Sequence, residues 1–210
     1  MPKIVCVSDT HNQLDKVTIP DCDILVIAGD VTSRGDIPEI SRFNQDLVRL
    51  RENTKNIVMI CGNHDFCFER DPHLTKTILT NVDYYLENSS AEVMGLKFYG
   101  SPITPRFYDW AFNADSPKLR ETWGSIPAGI DILITHGPPK GILDLTSRGI
   151  SAGCEILAEQ IFSRIKPKYH IFGHIHEGYG QVKNGDTTFI NASTCDLKYR
   201  PINPPIVFDI

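Results

Sequence analysis

The chain has 210 residues, of which 41% are hydrophobic and 22% are charged, and its formal net charge is -5 at pH 7. This length and composition are sufficient for one well-buried core, and they predict a single domain over residues 1–210. The Lys and Arg residues are scattered singly or in pairs, so the sequence lacks the basic patch that a partner such as duplex nucleic acid requires.

The sequence gives no indication of a membrane partner. No stretch approaches the roughly 18 to 20 uninterrupted apolar residues of a membrane span, and the N-terminus leads into a strand-like run without the apolar region of a signal peptide. The six cysteines contain no C-x-x-C pair and indicate reduced thiols. We therefore expect a cytoplasmic protein, either a monomer or a homodimer.

Short apolar runs alternate with more polar segments along the chain. The runs are rich in β-branched residues, as is typical of strands buried on both faces, and lie at 4–7, 24–27, 57–60, 132–134 and 169–172. Helices are predicted at about 37–52 after Asp36, 72–80 after Asp71-Pro72, and 152–165 before Pro167. Hairpins are predicted at 91–103, with a turn near Gly95, and at 179–189, with a turn at 184–186. The pattern predicts an α/β fold with mixed sheets.

Each of the five apolar runs ends at a short polar motif. In chain order the motifs are Asp9-Thr-His11, Gly29-Asp30, Gly62-Asn63-His64-Asp65, Thr135-His136-Gly137 and Gly173-His174-Ile175-His176. Because ligands gather beyond the carboxyl ends of strands in open α/β sheets, these side chains should share one crevice. Any one motif alone is more typical of a plain turn. The ordered set predicts a metal centre.

The residue types in these motifs favour a pair of transition-metal ions. Oxygen and nitrogen ligands without a thiolate suit Mn²⁺ first, with Fe or Zn²⁺ as alternatives. Two such ions roughly 3.5–4 Å apart need a bridging anion, and Asp30 at the end of the second run is the obvious carboxylate. The glycines beside the ligands allow the backbone to approach the ions closely.

The ordered motifs resemble those of the calcineurin-like metallophosphoesterase superfamily, D-x-H, G-D, G-N-H-[DE], [GT]-H and G-H-x-H, over residues 4–176. Gly-Pro-Pro after His136, Glu177-Gly-Tyr-Gly180, and the segments 190–195 and 203–209 are similar to the small, capless MPPED-type (metallophosphoesterase-domain-containing) subgroup. The resemblance implies a central β-sandwich flanked by helices in four αββα layers, with the metals at the carboxyl ends of the strands.

The resemblance also implies roles for individual residues. The implied ligands of the first ion are Asp9, His11, Asp30 and His176, and those of the second are Asp30, Asn63, His136 and His174. His64 would be the general acid that protonates the leaving group, and Asn63 and His64 would also contact substrate. Some subgroup members lack the first histidine of G-H-x-H and are weak catalysts, so the presence of His174 favours a working enzyme.

The implied activity is hydrolysis of small phosphodiesters, with 2′,3′- or 3′,5′-cyclic nucleotides as the natural class, by a hydroxide held between the two metals. Two alternatives remain open. One is a phosphomonoesterase, and the other is a nucleotide-binding regulatory protein with weak residual activity.

The chain departs from the protein phosphatases of the superfamily, which carry G-D-x-V-D-R-G where this sequence reads Gly29-Asp-Val-Thr-Ser-Arg-Gly35. Ser33 replaces the aspartate that orients their histidine, and Asp65 is a candidate for that role or else caps the next turn. Arg34 is a candidate phosphate-binding residue or a solvated surface arginine. The aromatic residues of 107–112, including Tyr108, either stack a nucleobase or pack under a long loop.

Overall fold

The computed structural model describes residues 1–210. Its elements in chain order are β1 (Lys3–Val7), β2 (Cys22–Ala28), α1 (Ile37–Leu50), β3 (Thr54–Ile60), α2 (Phe66–Arg70), α3 (Pro72–Ile78), β4 (Tyr84–Tyr85), β5 (Ser89–Val93), β6 (Leu96–Ser101), β7 (Thr104–Pro105), β8 (Asn113–Ala114), α4 (Ser116–Ser125), β9 (Ile132–Thr135), α5 (Glu155–Gln160), β10 (Tyr169–Phe172), β11 (Gly180–Asn184), β12 (Thr187–Asn191) and β13 (Ile206–Asp209). All five predicted strands and both predicted hairpins are present.

The strands form two large mixed sheets and one small pair. The first sheet has the order β13-β1-β2-β3-β4, in which β1 to β4 are parallel and β13 is antiparallel to β1. The second has the order β11-β12-β10-β9-β6-β5, with a parallel centre and an antiparallel hairpin at each edge. Strands β7 and β8 pair separately. The prediction of mixed sheets is confirmed.

Alternation along each strand divides the apolar side chains between two faces. In β1, Val5 and Val7 pack in a cluster with side chains of α1 to α3, whereas Ile4 and Cys6 pack against the second sheet. A third cluster joins the outer face of the second sheet to α4 and α5. Three cores separating four layers give the αββα sandwich with helices on both sides.

The helix boundaries follow local signals where these exist. Asp36 and Glu39 form a reciprocal capping box at the start of α1, as the sequence predicts. The predicted helix at 152–165 comprises α5 and a π-helical turn, Ile161–Ile165, which ends at the left-handed Lys166 before Pro167. Helices α2 and α4 are additional to the predicted ones. No helix in the structure is long and apolar enough to cross a bilayer.

The sandwich brings the carboxyl ends of strands from both sheets to one end of the molecule. Strands β1, β2 and β3 of the first sheet and β9 and β10 of the second each lead into one of the five motifs. A bridge between Ser8 and Ser193 links the two sheets at this end. The ligands therefore converge across the gap between two sheets, not along the edge of a single sheet.

Candidate metal centre

Main-chain hydrogen bonds join four of the five motif loops in two pairs, the first with the second and the fourth with the fifth. Asp9 N donates to Gly29 O at 2.9 Å, and Gly173 N donates to His136 O at 2.9 Å. His11 N donates to the Asp30 carbonyl at 3.0 Å. These bonds fix the two loops of each pair relative to one another through the backbone alone.

The backbone is strained at four of the sequence-predicted ligands. Asp9, His11, Asp30 and His174 have positive φ values of 52°, 41°, 50° and 67°. A residue with a side chain in this left-handed region costs about 1–3 kcal/mol and persists only where the surroundings fix it. Such strain is typical of sites at which ligand direction matters more than stability.

The first cluster of candidate ligands consists of Asp9, His11 and His176, whose ligand atoms lie within 4.8 Å of one another. The Asp9 Oδ1 atom is 3.3 Å from His176 Nε2. The Asp9 carboxylate also accepts hydrogen bonds from His174 N at 3.0 Å and Ser193 Oγ at 3.0 Å. The carboxylate is thus held from the second sheet while it belongs to a loop of the first.

The second cluster consists of Asp30, His136 and His174, again with ligand atoms within 4.8 Å of one another. His136 Nε2 lies 3.3 Å from Asp30 Oδ2 and 3.0 Å from Asn63 Oδ1. Asp30 Oδ2 is also 3.9 Å from His11 Nε2 of the first cluster. One carboxylate therefore lies between both groups of candidate ligands.

Three of the imidazoles are oriented by main-chain carbonyls. The Nδ1 atoms of His11, His136 and His176 lie 3.2, 3.0 and 3.1 Å from the carbonyl oxygens of Thr32, Ala28 and Asp196, respectively. Because a carbonyl can only accept, each Nδ1 carries a proton and each Nε2 is directed into the site. This is the usual outer-shell arrangement of metal-binding histidines.

Two observations fit the donor set to divalent ions. His11 Nε2 is buried and has no hydrogen-bond partner in the protein. In addition, a Cβ at Gly173 would collide with the Asp9 carboxylate, and one at Gly62 would collide with that of Asp30. Glycine at these places lets the backbone pass directly behind the carboxylates, which leaves their outer lone pairs for a ligand.

Charge pairing shifts the pKa values across the site. Burial alone lowers the pKa of His136, but the adjacent Asp30 carboxylate outweighs it and raises the pKa to about 9. For His176, burial is likewise outweighed by Asp9, and the pKa rises to about 9. For His174, burial and the neighbouring His136 outweigh the Asp30 and Asp9 carboxylates, so the pKa is lowered to about 4. Although burial acts in the opposite direction, the surrounding imidazoles hold the pKa of Asp30 well below its usual range.

His64 lies beside these clusters. Its main-chain N–H donates to Asp30 Oδ1 at 2.8 Å, and its Nδ1 is 2.8 Å from the Ser33 carbonyl. A ring nitrogen of His64 is within 4.8 Å of the ligand atoms of His11 and Asp30, so distance alone leaves it a possible ligand. The His64 ring is also oriented by a main-chain carbonyl at Nδ1, as are the rings of the three histidines above.

Asp65 does not take the first of the two roles considered for it, which is to orient the His64 ring. The buried Asp65 carboxylate accepts from Gly62 N at 2.8 Å, Thr32 N at 3.0 Å and Thr32 Oγ1 at 2.6 Å, and it makes no hydrogen bond to the His64 ring. Nor does its side chain cap the next helix. Burial, with Asp30 nearby, raises the pKa of Asp65 to about 6. Asp65 joins the loops after β2 and β3, and the Ser33 carbonyl contacts the ring instead.

The family model for calcineurin-like phosphoesterases matches residues 2–178 of the chain, a range that includes every motif described above. The chain belongs to the calcineurin-like phosphoesterase family. It is accordingly a metal-dependent phosphoesterase, and its clusters of carboxylates and imidazoles are potential sites for the divalent metals that this family uses.

Relatives of this phosphoesterase extend over nearly the whole chain. It is 41% identical to metallophosphoesterase domain-containing protein 1 of Homo sapiens, over 99% of this chain and 71% of that protein. It is 39% identical to a UPF0046 protein of Caenorhabditis elegans, over 99% of this chain and 80% of that one. A crystal structure with 17% identity superposes with a TM-score of 0.68 over 91% of this chain and 90% of its own, which supports the fold alone.

A pocket of about 210 Å³ opens onto the ligand clusters of the phosphoesterase. It is lined by Asp30, Asn63, His64, Phe107, Trp110, His174, His176, Leu197 and Tyr199. The sequence-predicted Arg34 and Tyr108 are exposed and are not among these residues. Within the aromatic segment, Phe112 packs in the core, which is one of the two alternatives left open by the sequence, whereas Phe107 and Trp110 line the pocket.

Sequence reasoning missed Leu197 and Tyr199 entirely. They lie after the last metal motif, in a turn without regular structure, and no local spacing marks them as part of a site. His73 is exposed, and His170 is buried with its Nε2 atom 2.8 Å from Thr135 Oγ1. Neither of these two histidines is in the metal clusters.

Proposed function

We propose that this phosphoesterase is a dinuclear enzyme that hydrolyses small phosphodiesters, with 2′,3′- or 3′,5′-cyclic nucleotides as its natural substrate class. The first ion would be held by Asp9, His11, Asp30 and His176. The second would be held by Asp30, Asn63, His136 and His174. Nitrogen and oxygen donors without thiolate favour Mn²⁺, with Fe or Zn²⁺ as alternatives.

The ions would supply an activated water nucleophile and neutralise charge on the phosphoryl oxygens. The protein's own contribution is rigid placement of the ligands. The Asp30 carboxylate, which is between both clusters, would be shared, and its position is fixed by the 2.8 Å hydrogen bond from His64 N. Asn63 contributes a neutral oxygen, which limits the negative charge gathered around the substrate.

The observation that supports a diesterase most directly is the chemistry of the pocket wall. No Lys or Arg lines the pocket, and four of its nine lining residues are hydrophobic. A phosphomonoester carries up to two negative charges, whereas a diester carries one and has a second organic group to accommodate. A pocket in which only the ions would neutralise phosphate charge, with apolar walls beside them, suits the diester.

His64 is the proposed general acid for the departing oxygen. Its Nδ1–H is occupied by the Ser33 carbonyl, so Nε2 is the ring atom available to exchange a proton with the leaving group. His64 lines the pocket beside Asp30, which puts this atom where a phosphoryl group could approach. Proton donation of this kind contributes about 10²–10⁴-fold to the rate.

The decisive experiment compares a diester with a monoester on the same protein. Metal-stripped protein is reloaded with Mn²⁺, Fe²⁺ or Zn²⁺ and assayed on bis-p-nitrophenyl phosphate and p-nitrophenyl phosphate, followed by a panel of cyclic nucleotides. A higher kcat/KM for the diester supports the proposal. Preference for the monoester would establish a phosphomonoesterase, and binding of nucleoside monophosphate without turnover would establish a regulatory protein.

The role of His64 needs a separate control because the ring lies close to the candidate ligands. The variant His64→Ala should retain two ions per protein by elemental analysis and lose about 10²–10⁴-fold in turnover of esters with poor leaving groups. Esters with good leaving groups should be affected much less. Loss of an ion in this variant would make His64 a ligand and remove it from the proposed acid role.

A further inference from the structure

Trp110 lines the pocket and packs against His64. The Trp110 ring lies against the His64 imidazole, with centroids 4.2 Å apart and planes inclined by 33°. The loop that carries Trp110 is fixed to the neighbouring ligand loop, because Ala111 N donates to the Asn63 carbonyl at 3.1 Å. Trp110 therefore keeps a fixed position relative to the candidate metal ligands.

A second aromatic side chain that lines the pocket, Tyr199, lies over His11. The Tyr199 ring stands edge-on to the His11 imidazole at 4.7 Å between centroids, and Leu197 lines the pocket beside it. The Tyr199 side chain is 49% exposed, so it gains little from burial. Its φ is 55°, a conformation that costs about 1–3 kcal/mol for a residue of this size. A strained and exposed aromatic residue over a metal ligand indicates a role other than core packing.

The turn that carries Tyr199 is attached by hydrogen bonds to His176 of the first ligand cluster. The Asp196 carbonyl accepts from His176 Nδ1 at 3.1 Å and from Tyr199 N at 2.8 Å. The Asp196 carboxylate closes the turn by accepting from Lys198 N and Arg200 N, each at 2.9 Å. The hydrogen bond that orients His176 therefore also places the Tyr199 ring at the pocket.

We propose that Trp110 and Tyr199 form an aromatic clamp, defined by these two rings, that selects phosphodiesters carrying a flat, uncharged ring, such as an aryl group or a nucleobase, on the ester group that remains after hydrolysis. This inference rests on the proposed diesterase function and adds the residues that determine specificity. The pocket places apolar side chains beside the candidate metal ligands, where a phosphate and an adjoining ring would lie. A substrate ring that packs against these aromatic side chains gains aromatic contacts without requiring any charge in the pocket.

The test uses two diesters with the same leaving group. Bis-p-nitrophenyl phosphate and ethyl p-nitrophenyl phosphate both release p-nitrophenol, but only the first has a ring on the ester group that remains. The ratio of kcat/KM for bis-p-nitrophenyl phosphate to kcat/KM for ethyl p-nitrophenyl phosphate is measured on the Mn²⁺-loaded protein. Because the same enzyme sample serves both substrates, the fraction of active protein cancels in this ratio.

The clamp predicts a high ratio for the unsubstituted protein and a fall of about 10-fold in Tyr199→Leu and in Trp110→Leu, the size expected for loss of one stacking partner. Tyr199→Phe keeps the ring and should keep the ratio. Phe162→Leu is the matched control, since Phe162 is 44% exposed and lies in the turn that follows α5, outside the pocket. An unchanged ratio in Tyr199→Leu and Trp110→Leu, or equal losses in Tyr199→Phe and Tyr199→Leu, would overturn the clamp.

A binding measurement separates failure of the clamp from failure of the proposed function. Diphenyl phosphate and diethyl phosphate are titrated into the metal-loaded protein and each variant by calorimetry. If no diester is hydrolysed but diphenyl phosphate binds more tightly and Tyr199→Leu removes that preference, the clamp stands and the diesterase proposal fails. If diesters are hydrolysed and neither binding nor turnover distinguishes aryl from alkyl groups, the clamp alone is wrong.

Discussion

Metal loading should release protons, because two of the proposed ligands are protonated in the metal-free protein. In both His136 and His176, burial lowers the pKa, but a neighbouring carboxylate outweighs it and raises the pKa to about 9. A raised pKa means that each ring keeps its second proton at any pH below about 9. That proton must leave before Nε2 can bind an ion, so protons compete with metal throughout the neutral range.

The size of the effect follows from the two pKa values. At pH 7.5 both rings are almost fully protonated, so saturation with Mn²⁺ should release at least about two protons per protein. The overall association constant for the two ions should then rise by about two orders of magnitude per pH unit and flatten above pH of about 9. Calorimetric titrations in buffers of different ionisation enthalpy, at pH 7.5 and 9.5, measure the number of protons directly.

Release of fewer than about one proton at pH 7.5, or the same release at pH 7.5 and 9.5, would refute this reasoning. Either result would mean that Asp30 and Asp9 do not hold the two rings in the charged form. The matched control is His73→Gln, because His73 is exposed and lies outside both clusters. That variant should release the same number of protons as the unsubstituted protein.

Three further predictions concern the ligands and the core. Asp30→Ala should abolish binding of both ions by elemental analysis, whereas His176→Ala should abolish one, and equal losses would contradict a shared carboxylate. Gly173→Ala forces a Cβ into the Asp9 carboxylate and should weaken the first site selectively. An unchanged metal content would contradict the role of this glycine in leaving space for the carboxylate. His170 has its pKa lowered to about 3 by burial, so it lowers stability by about 1.4 kcal/mol per pH unit as the pH falls from about 6.5 towards 3. Urea unfolding at pH 6.5, 5.5 and 4.5 gives the free energy of unfolding at each pH. This free energy should fall less steeply with falling pH in His170→Gln than in the unsubstituted protein, and an identical fall would refute the assignment.

The parts of the fold that could be predicted from the sequence are those in which local signals and tertiary packing agree. Short β-branched runs give strands buried on both faces, and the capping box at Asp36 marks the start of α1. Helix α4 was not predicted because its segment is mostly polar, and the burial of Leu119 and Trp123 against the second sheet stabilises it. Its local pattern shows no clear helical period.

The same distinction between local signals and tertiary contacts applies to the residues of the candidate site. The proposed ligands lie in motifs at strand ends, so their residue types and positions in the sequence are enough to predict them. Tyr199 was not predicted, because its place over His11 depends on a hydrogen bond between Asp196 and His176 that joins segments 20 residues apart. Asp65 takes neither of the two roles considered for it, since its side chain could reach several partners and only the folded loops show that it binds main-chain N–H groups.

The orientation of the imidazoles shows why side-chain patterns cannot specify this centre completely. His11, His64, His136 and His176 each direct Nδ1 to a main-chain carbonyl, and a carbonyl is present at every residue whatever its side chain. Where related phosphatases have an aspartate to orient the histidine, Ser33 achieves the contact with its backbone. The precision of the site therefore depends on loop conformation, which the left-handed ligand residues and the hydrogen bonds between loops maintain. Residues that fix those loops, Asp65 above all, should affect metal affinity without touching an ion.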